Sequence, residues 1–247
     1  MVRPFIRIMS GRKRFFVENL ADNTAEIEGD EFVHAKTVQR LDVGSEICLL
    51  DGSGKEYTAI VAKVEKRRLV AHITGVCEGD KEPKTPVYLL MGALKGDKTE
   101  LVVQKACELG VDRIGVFSSE YCSAYMNENK LERLNKVARE ATKQCMRSKA
   151  PRIEYFNDLQ SALKSAEEYK NKLFACEFAD KSEVNLTKLE GATAIVIGSE
   201  GGFSEAEFAL SKNSGFKAVY LGRRILRAET ASIALLAIVA HSLGEME

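Results

Sequence analysis

The chain has 247 residues, 45% of them hydrophobic, which is enough for one large domain or two modest ones. Lysine and arginine together number 36, as do aspartate and glutamate, so the formal net charge is zero. The overall charge therefore predicts neither an acidic partner such as a nucleic acid nor a basic one. The six cysteines form no CxxC pair and the histidines are isolated, which predicts reduced thiols, a cytoplasmic protein and no metal site. No apolar run is long enough to span a membrane, so we expect no membrane partner.

The first segment, residues 1–77, is predicted to be a small β-rich domain. Strands are predicted at 5–8, 15–18, 46–50, 57–64 and 68–76, and helical spacing occurs at 31–40. The sequence Asp-Gly-Ser-Gly at 51–54 favours a hairpin turn over a phosphate loop. Five basic residues and no acid occupy the first fourteen positions, Arg7 and Arg12 among them. This pattern fits either contact with a polyanion or a solvated terminus.

The composition and the pattern of predicted elements change after the first segment. Residues 78–86 are polar and contain two of the four prolines, which predicts a linker at 78–85. From residue 86 to 247, strands alternate with helices, as in an α/β domain with a largely parallel sheet. Strands are predicted at 87–93, 113–117, 194–197 and 218–221, and helices at 97–109, 129–147 and 230–243. Two weaker elements, not assigned as helix or strand, lie around 158–169 and 173–178.

The helix predicted at 129–147 has one strongly basic side. On a helical wheel, five cationic residues fall within an arc of about 120°. These are Arg133, Lys136, Arg139, Lys143 and Arg147. This pattern is compatible with a solvated helix face and with a phosphate-binding face. Because acids are scarce on it, we favour the phosphate-binding face.

Two glycine loops each follow a buried strand in the last fifth of the chain. The first is Gly-Ser-Glu-Gly-Gly-Phe at 198–203, and the second begins at Gly222. Two such loops predict a ligand crevice at the carboxyl ends of the strands. The first loop lacks the residues of a triphosphate loop and the spacing of a dinucleotide fingerprint. Its paired glycines fit close approach to a flat ligand and a plain strand-to-helix turn equally well.

The helices that follow these loops have their own signals. Ser204 and Glu207 form a capping box, which predicts a helix start at that point. Glu229 precedes the apolar terminal helix, where it is placed to pair with Arg227 or to cap the helix.

Together, residues 198–203 and 221–231 closely resemble the RsmE family of ribosomal RNA methyltransferases, a branch of the SPOUT superfamily. Further likeness at 34–52, 95–110, 119–120 and 140–147 extends the resemblance over essentially the whole chain. Three residues depart from the family pattern. Ser199 stands where proline is usual, Tyr121 where arginine is common, and Lys143 where an acid is common.

The resemblance implies a SPOUT-type C-terminal α/β domain with a trefoil knot, in which helices flank a parallel sheet, and a small N-terminal PUA-like β-barrel. It also implies S-adenosylmethionine as cofactor, a homodimer, and methylation of N3 of a uridine in 16S rRNA of the small ribosomal subunit. The cofactor is expected against nine residues, largely through backbone groups. They are Ile197, Gly198, Glu200, Gly201, Gly202, Leu221, Gly222, Ile225 and Leu226.

For the RNA, we expect contacts from Arg7, Arg12 and the five-residue basic arc. We assign Arg227 to stabilise the developing uridine anion, and Glu229 either to orient Arg227 or to receive the proton. Two alternatives stay open. One is a SPOUT methyltransferase that acts on another RNA base, and the other is a non-catalytic RNA-binding factor of ribosome assembly.

Overall fold

The computed structural model describes residues 12–21, 23–178 and 181–246, which fall into two units. The first unit comprises Met1–Glu82 with Thr142–Ala150, and the second comprises Pro83–Ala141 with Pro151–Glu247. The break after residue 82 falls inside the predicted linker 78–85, but the assignment of 142–150 to the first unit was not predicted. Arg7 and the strand predicted at 5–8 lie outside the described residues. Within those residues, no helix has both the length and the apolar character that crossing a membrane requires.

The described part of the first unit contains a mixed sheet. Its strands are β1 (Lys13–Phe16), β2 (Asn19–Ala21), β3 (Thr24–Ile27), β4 (Glu46–Leu50), β5 (Lys55–Val64) and β6 (Leu69–Glu78). The spatial order is β1-β4-β5-β6-β3-β2, with β1 parallel to β4 and the other pairs antiparallel. Alternate side chains, Phe15, Ile27 and Ile47 among them, are fully buried in one apolar cluster.

Two features of this unit differ from the sequence prediction. Residues 31–40 do not form one regular helix: α1 (Gly29–Val33) is followed by a π-helical turn at His34–Val38. Strands β2 and β3 were missed because both are short and their sequences, Asn-Leu-Ala and Thr-Ala-Glu-Ile, contain no apolar run of three residues. The hairpin turn between β4 and β5 is confirmed, since Gly52 and Gly54 have φ values of +79° and +104°.

The second unit is built on a parallel sheet. Its strands are β7 (Val87–Gly92), β8 (Arg113–Phe117), β9 (Arg152–Phe156), β10 (Asn171–Ala175), β11 (Thr193–Ile197) and β12 (Lys217–Val219). The helices are α2 (Lys98–Glu108), α3 (Glu128–Gln144), α4 (Leu159–Lys164), α5 (Glu205–Asn213) and α6 (Ala228–Ser242). The capping box at the start of α5 is formed as predicted.

Both faces of this sheet are covered. Successive side chains of a strand point to opposite faces. Leu89 of β7 packs in one apolar cluster with Leu235 of α6, while Leu90 packs in another with Leu159 of α4. Every strand pair is parallel, so the predicted parallel sheet with flanking helices is confirmed. The trefoil knot stays a prediction.

The strand order places the loops that matter for function. The order is β12-β10-β11-β7-β8-β9, so the chain runs outward from β7 to β9 and then continues on the other side of β7. Open parallel sheets bind ligands at the carboxyl ends of their strands, at the point where the order reverses. Strands β7 and β11 are neighbours at that point, and the loops after β7, β10, β11 and β12 lie at the same edge.

Candidate functional site

A cavity of about 610 Å³ lies at this carboxyl edge of the sheet. Its wall consists of residues 175–178 after β10, residues 197–200 with Gly202 and Phe203 after β11, residues 219–228 with Ala231, and Lys98 from α2. Small-molecule sites typically enclose ~300–1,000 Å³. Both glycine loops therefore line one cavity of suitable size for a small ligand.

The first glycine loop is a tight turn held against β7. The backbone N–H of Gly202 donates to the carbonyl oxygen of Ser199 at 3.0 Å, and Gly202 has a φ of +70°. A Cβ atom on Gly92, the last residue of β7, would lie 2.5 Å from the backbone nitrogen of Ser199. Residue 92 therefore has no room for a side chain, and the loop rests directly on the end of β7.

Most of the residues predicted to hold a cofactor line the cavity. They are Ile197, Gly198, Glu200, Gly202, Leu221, Gly222, Ile225 and Leu226. Ile225 is 88% exposed, so its apolar side chain is available to a ligand. Gly201 does not line the cavity and instead packs against Tyr121.

Two parts of the wall were not anticipated from the sequence. One is the segment after β10, which contributes Glu177 and Phe178. The sequence predicted only an element of unassigned type at 173–178. Its assignment as a parallel strand would have placed its end at the same edge as the neighbouring strands. The other is Lys98, the first residue of α2. Lys98 belongs to the stretch 95–110 that resembles the family, but the sequence does not show that its ammonium reaches the glycine loop.

Glu200 places a carboxylate on the cavity wall. Its carboxylate accepts hydrogen bonds from the backbone N–H of Lys95 at 3.0 Å and from Nζ of Lys98 at 3.3 Å. Burial alone would raise the pKa of Glu200, but the backbone N–H groups of Lys95 and Glu200 and the Lys98 ammonium hold it below its usual value. The group is therefore ionised at neutral pH and forms an ion pair with Lys98.

The two predicted catalytic residues occupy different positions. Arg227 is the N-cap residue of α6, is exposed, and lines the cavity. Glu229, on the first turn of α6, does not line the cavity, and its side chain is 13% exposed. Its Oε1 lies 3.7 Å from Nζ of Lys98. Among the described residues no ion pair joins Glu229 to Arg227, so the expected pairing is replaced by a pairing with Lys98.

The basic helix ends earlier than predicted. Helix α3 stops at Gln144 rather than at Arg147, because Met146 adopts a left-handed conformation with a φ of +67°. Residues 142–150 then belong to the first unit.

This early end changes the basic arc. Arg133, Lys136 and Arg139 are exposed, and Arg133 pairs with Glu100 at 2.8 Å. The other two members are buried, Lys143 in an ion pair with Glu31 and Arg147 in an ion pair with Glu82, each at 2.9 Å. The prediction of one five-residue exposed face is therefore wrong at Lys143 and Arg147, because a helical wheel ignores tertiary partners.

The remaining predicted RNA contact in the described residues is Arg12, which pairs with Glu46 at 2.8 Å and has a side chain 18% exposed. Across the described ranges, no group of three His, Cys, Asp or Glu side chains is arranged to hold a metal ion.

Known sequences provide matches for both units. Residues 80–240 match the profile of an RNA methyltransferase domain, and residues 27–74 match that of an RNA methyltransferase PUA domain. The ribosomal RNA small subunit methyltransferase E of Mesomycoplasma hyopneumoniae (strain 232) is 32% identical, over 90% of this chain and 96% of the relative.

Solved structures agree with these matches. A methyltransferase from Legionella pneumophila in complex with SAM has a TM-score of 0.86 and 27% identity, over 94% of this chain and 98% of that one. The ribosomal RNA small subunit methyltransferase E from Neisseria gonorrhoeae, bound to S-adenosyl methionine, has a TM-score of 0.81 and 28% identity, over 92% and 96% of the two chains. The expected PUA-like N-terminal domain and methyltransferase domain are thereby confirmed.

Proposed function

Because the chain belongs to the RsmE family of ribosomal RNA methyltransferases, we propose that it transfers a methyl group from S-adenosylmethionine to N3 of a uridine in 16S rRNA. The observation that carries this proposal is the cavity in which both glycine loops of the family motif meet at the edge of the parallel sheet. A ribosomal substrate places the reaction in the cytoplasm.

The cavity wall suits the chemistry of S-adenosylmethionine. Phe178, Leu221 and Ile225 offer apolar surface to a flat base, and the carboxylate of Glu177 offers an opposite charge to a cationic sulfonium. The backbone of Gly198 lines the cavity and provides N–H and C=O groups without an obstructing side chain. When bound, the cofactor supplies a methyl group on a positively charged sulfur.

Arg227 is the residue that the geometry favours for contact with the target base. As N3 loses its proton to solvent, negative charge develops on the ring and its carbonyl oxygens. N3 would then take the methyl group as the carbon–sulfur bond of the cofactor breaks, which leaves a neutral thioether. A guanidinium that lines the cavity stabilises this charge most in the transition state. Glu229 does not line the cavity, so we give it no contact with the reacting atoms.

Docking of the RNA requires a separate surface. We assign the phosphate contacts to the exposed side chains of Arg133, Lys136 and Arg139 on α3. A two-fold dimer is proposed through α2 and α6, which pack together and each leave an apolar side chain partly exposed, Leu101 at 40% and Ile238 at 39%.

Two measurements test the activity. S-Adenosylmethionine should raise the melting temperature of the protein, as a ligand that binds only the folded state does. Small ribosomal subunits that lack the modification should then acquire N3-methyluridine, detected by mass spectrometry of nucleosides. The absence of a thermal shift would favour a non-catalytic RNA-binding protein, and a different methylated nucleoside would refute the choice of base.

The role of Arg227 is tested with the same assay. Arg227→Ala should lower kcat by about 10²-fold or more while the Kd for subunits changes little. Arg152→Ala is the control, since Arg152 is 75% exposed and does not line the cavity. An unchanged kcat in Arg227→Ala would remove the residue from the mechanism.

A further inference from the structure

One ammonium group pairs with two carboxylates from different segments. Nζ of Lys98 lies 3.3 Å from Oε1 of Glu200 and 3.7 Å from Oε1 of Glu229. Glu200 belongs to the glycine loop after β11, whereas Glu229 belongs to the first turn of α6, after the second glycine loop. Lys98 thus contacts both loop regions that line the cavity.

Glu229 depends on this contact more than Glu200 does. Glu200 also accepts a backbone hydrogen bond from Lys95 at 3.0 Å. Glu229 has its Oε2 buried without a hydrogen-bond partner, and among the described residues Lys98 is the cation paired with it. A carboxylate removed from water needs a compensating charge, and without Lys98 the two carboxylates would also repel each other.

We propose that Lys98 is a positioning residue for methyl transfer, which holds the first glycine loop and the start of α6 in their working arrangement. Arg227 is the N-cap of α6, so a displaced helix start would move the guanidinium away from the target base. The inference rests on the proposed function, and it gives Lys98 no contact with the reacting atoms.

The first test replaces the charge but keeps the length of the side chain. Lys98→Met should weaken S-adenosylmethionine binding about tenfold in calorimetry and lower kcat by a similar factor. The KM for subunits should stay within about twofold, because the phosphate-binding face lies elsewhere on the chain. Lys98→Arg keeps the charge and should restore both values to within about threefold.

The control uses the same helix. Lys105 of α2 also forms an ion pair, with Glu108 at 2.9 Å, but it does not line the cavity. Lys105→Met should leave cofactor affinity and kcat unchanged. This result would separate the effect of the Lys98 ion pairs from a general effect of removing a lysine from α2.

A double-variant cycle shows whether the effect runs through Glu229. Glu229→Gln removes the charge that Lys98 balances, so Lys98→Met should cost about threefold in cofactor affinity in that background rather than tenfold. If Lys98→Met alone does not fold, the double variant is compared with Glu229→Gln. These two proteins differ only in whether residue 98 can form an ion pair with Glu200.

The outcomes separate the two proposals. A wild-type protein that neither binds the cofactor nor methylates subunits would refute the proposed function. If the wild-type protein binds the cofactor and methylates subunits, and Lys98→Met has the same cofactor affinity and kcat, the role of Lys98 is overturned. The proposed function is then unaffected. Additive effects of Lys98→Met and Glu229→Gln would overturn the role of Lys98 as well. Equal affinities of the double variant and Glu229→Gln would overturn the claim that Lys98 also holds the first glycine loop through Glu200.

Discussion

Gly201 lies directly against Tyr121. A Cβ atom on Gly201 would be 2.6 Å from Cβ of Tyr121 and 2.8 Å from its carbonyl oxygen. Neighbouring contacts strengthen this packing, since the backbone N–H of Glu120 donates to Oε1 of Glu207 at 2.9 Å. The segment after β8 therefore supports the first glycine loop, and glycine is required at position 201 by the packing of the protein itself.

Gly201→Ala should deform this loop. Because real Cβ atoms do not approach other atoms so closely, the turn or the Tyr121 segment must shift, and the adjoining cavity wall shifts with it. We expect cofactor affinity to fall about tenfold or more in calorimetry, together with a lower melting temperature.

A second glycine provides the control for Gly201→Ala. Gly244 has a φ of +75°, and apart from its two chain neighbours no atom of the described residues lies within 4 Å of an added Cβ. Gly244→Ala should cost about 1 kcal/mol of folding free energy through backbone strain and leave cofactor affinity unchanged. Wild-type cofactor affinity in Gly201→Ala would mean that the loop adapts to the added methyl group.

The parallel sheet and the two glycine loops could be predicted because their signals are local. Strands β8 and β11 are apolar runs that stop at polar or glycine residues, and parallel strands bring their carboxyl ends to one edge. Strand β9 was missed because only Ile153 of its five residues is buried, as expected at the edge of a sheet. Its sequence therefore lacks an apolar run.

Contacts between distant parts of the sequence could not be predicted. Lys143 is 112 residues from Glu31, and Arg147 is 65 residues from Glu82. The wheel of α3 gives the relative direction of these side chains, but the environment on each side depends on the tertiary fold. For the same reason the pairing of Glu229 with Lys98 was missed, and the sequence indicated only pairing with Arg227 or capping of the helix.

Glu82 is expected to stabilise the folded chain in a pH-dependent way. Its carboxylate accepts hydrogen bonds from Arg147 and from the backbone N–H groups of Ser148 and Lys149, at 2.9, 2.8 and 2.9 Å. Burial alone would raise its pKa, but the Arg147 charge and these hydrogen bonds hold it below its usual value. A lowered pKa means that the stabilisation is complete above pH 4.5 and is lost as the pH falls through the folded-state value.

Glu82→Gln should therefore lower the free energy of unfolding by about 2 kcal/mol at pH 7. The difference from wild type should shrink below pH 4.5, as measured by urea unfolding across that range. Asp80→Asn is the control, since Asp80 is 53% exposed in its pair with Lys81 and should change stability by less than about 0.5 kcal/mol. A pH-independent difference for Glu82→Gln would contradict the assignment.

The dimer proposal predicts a monomer when its apolar surface is charged. Helix α6 buries Leu235, Leu236 and Val239 within its own unit, while Ile238 remains 39% exposed. Ile238→Glu should place a charge in the proposed interface at little cost to the fold, so light scattering should change from dimer to monomer mass. Lys188→Glu, at another exposed position, should remain dimeric. A wild-type monomer at micromolar concentration would refute the interface.

The basic face of α3 is expected to dock the RNA without taking part in the chemistry. Phosphate contacts supply affinity that weakens with salt, and each lost contact lowers the slope of log K against log salt by roughly 0.7–0.9. Replacing Arg133, Lys136 and Arg139 together by Glu should raise the KM for small subunits and reduce this slope by about two. Cofactor affinity should stay at the wild-type value, because none of the three residues lines the cavity.

The control for this charge reversal changes the same number of charges elsewhere. Lys164, Lys170 and Lys188 are exposed residues outside the cavity wall, and their joint replacement by Glu alters the net charge equally. If KM follows only the net charge, both triple variants should weaken subunit binding alike. If α3 docks the RNA, only the α3 variant should do so. Wild-type KM and salt slope in the α3 variant would show that Arg133, Lys136 and Arg139 form a solvated helix face, which is the alternative that the sequence left open.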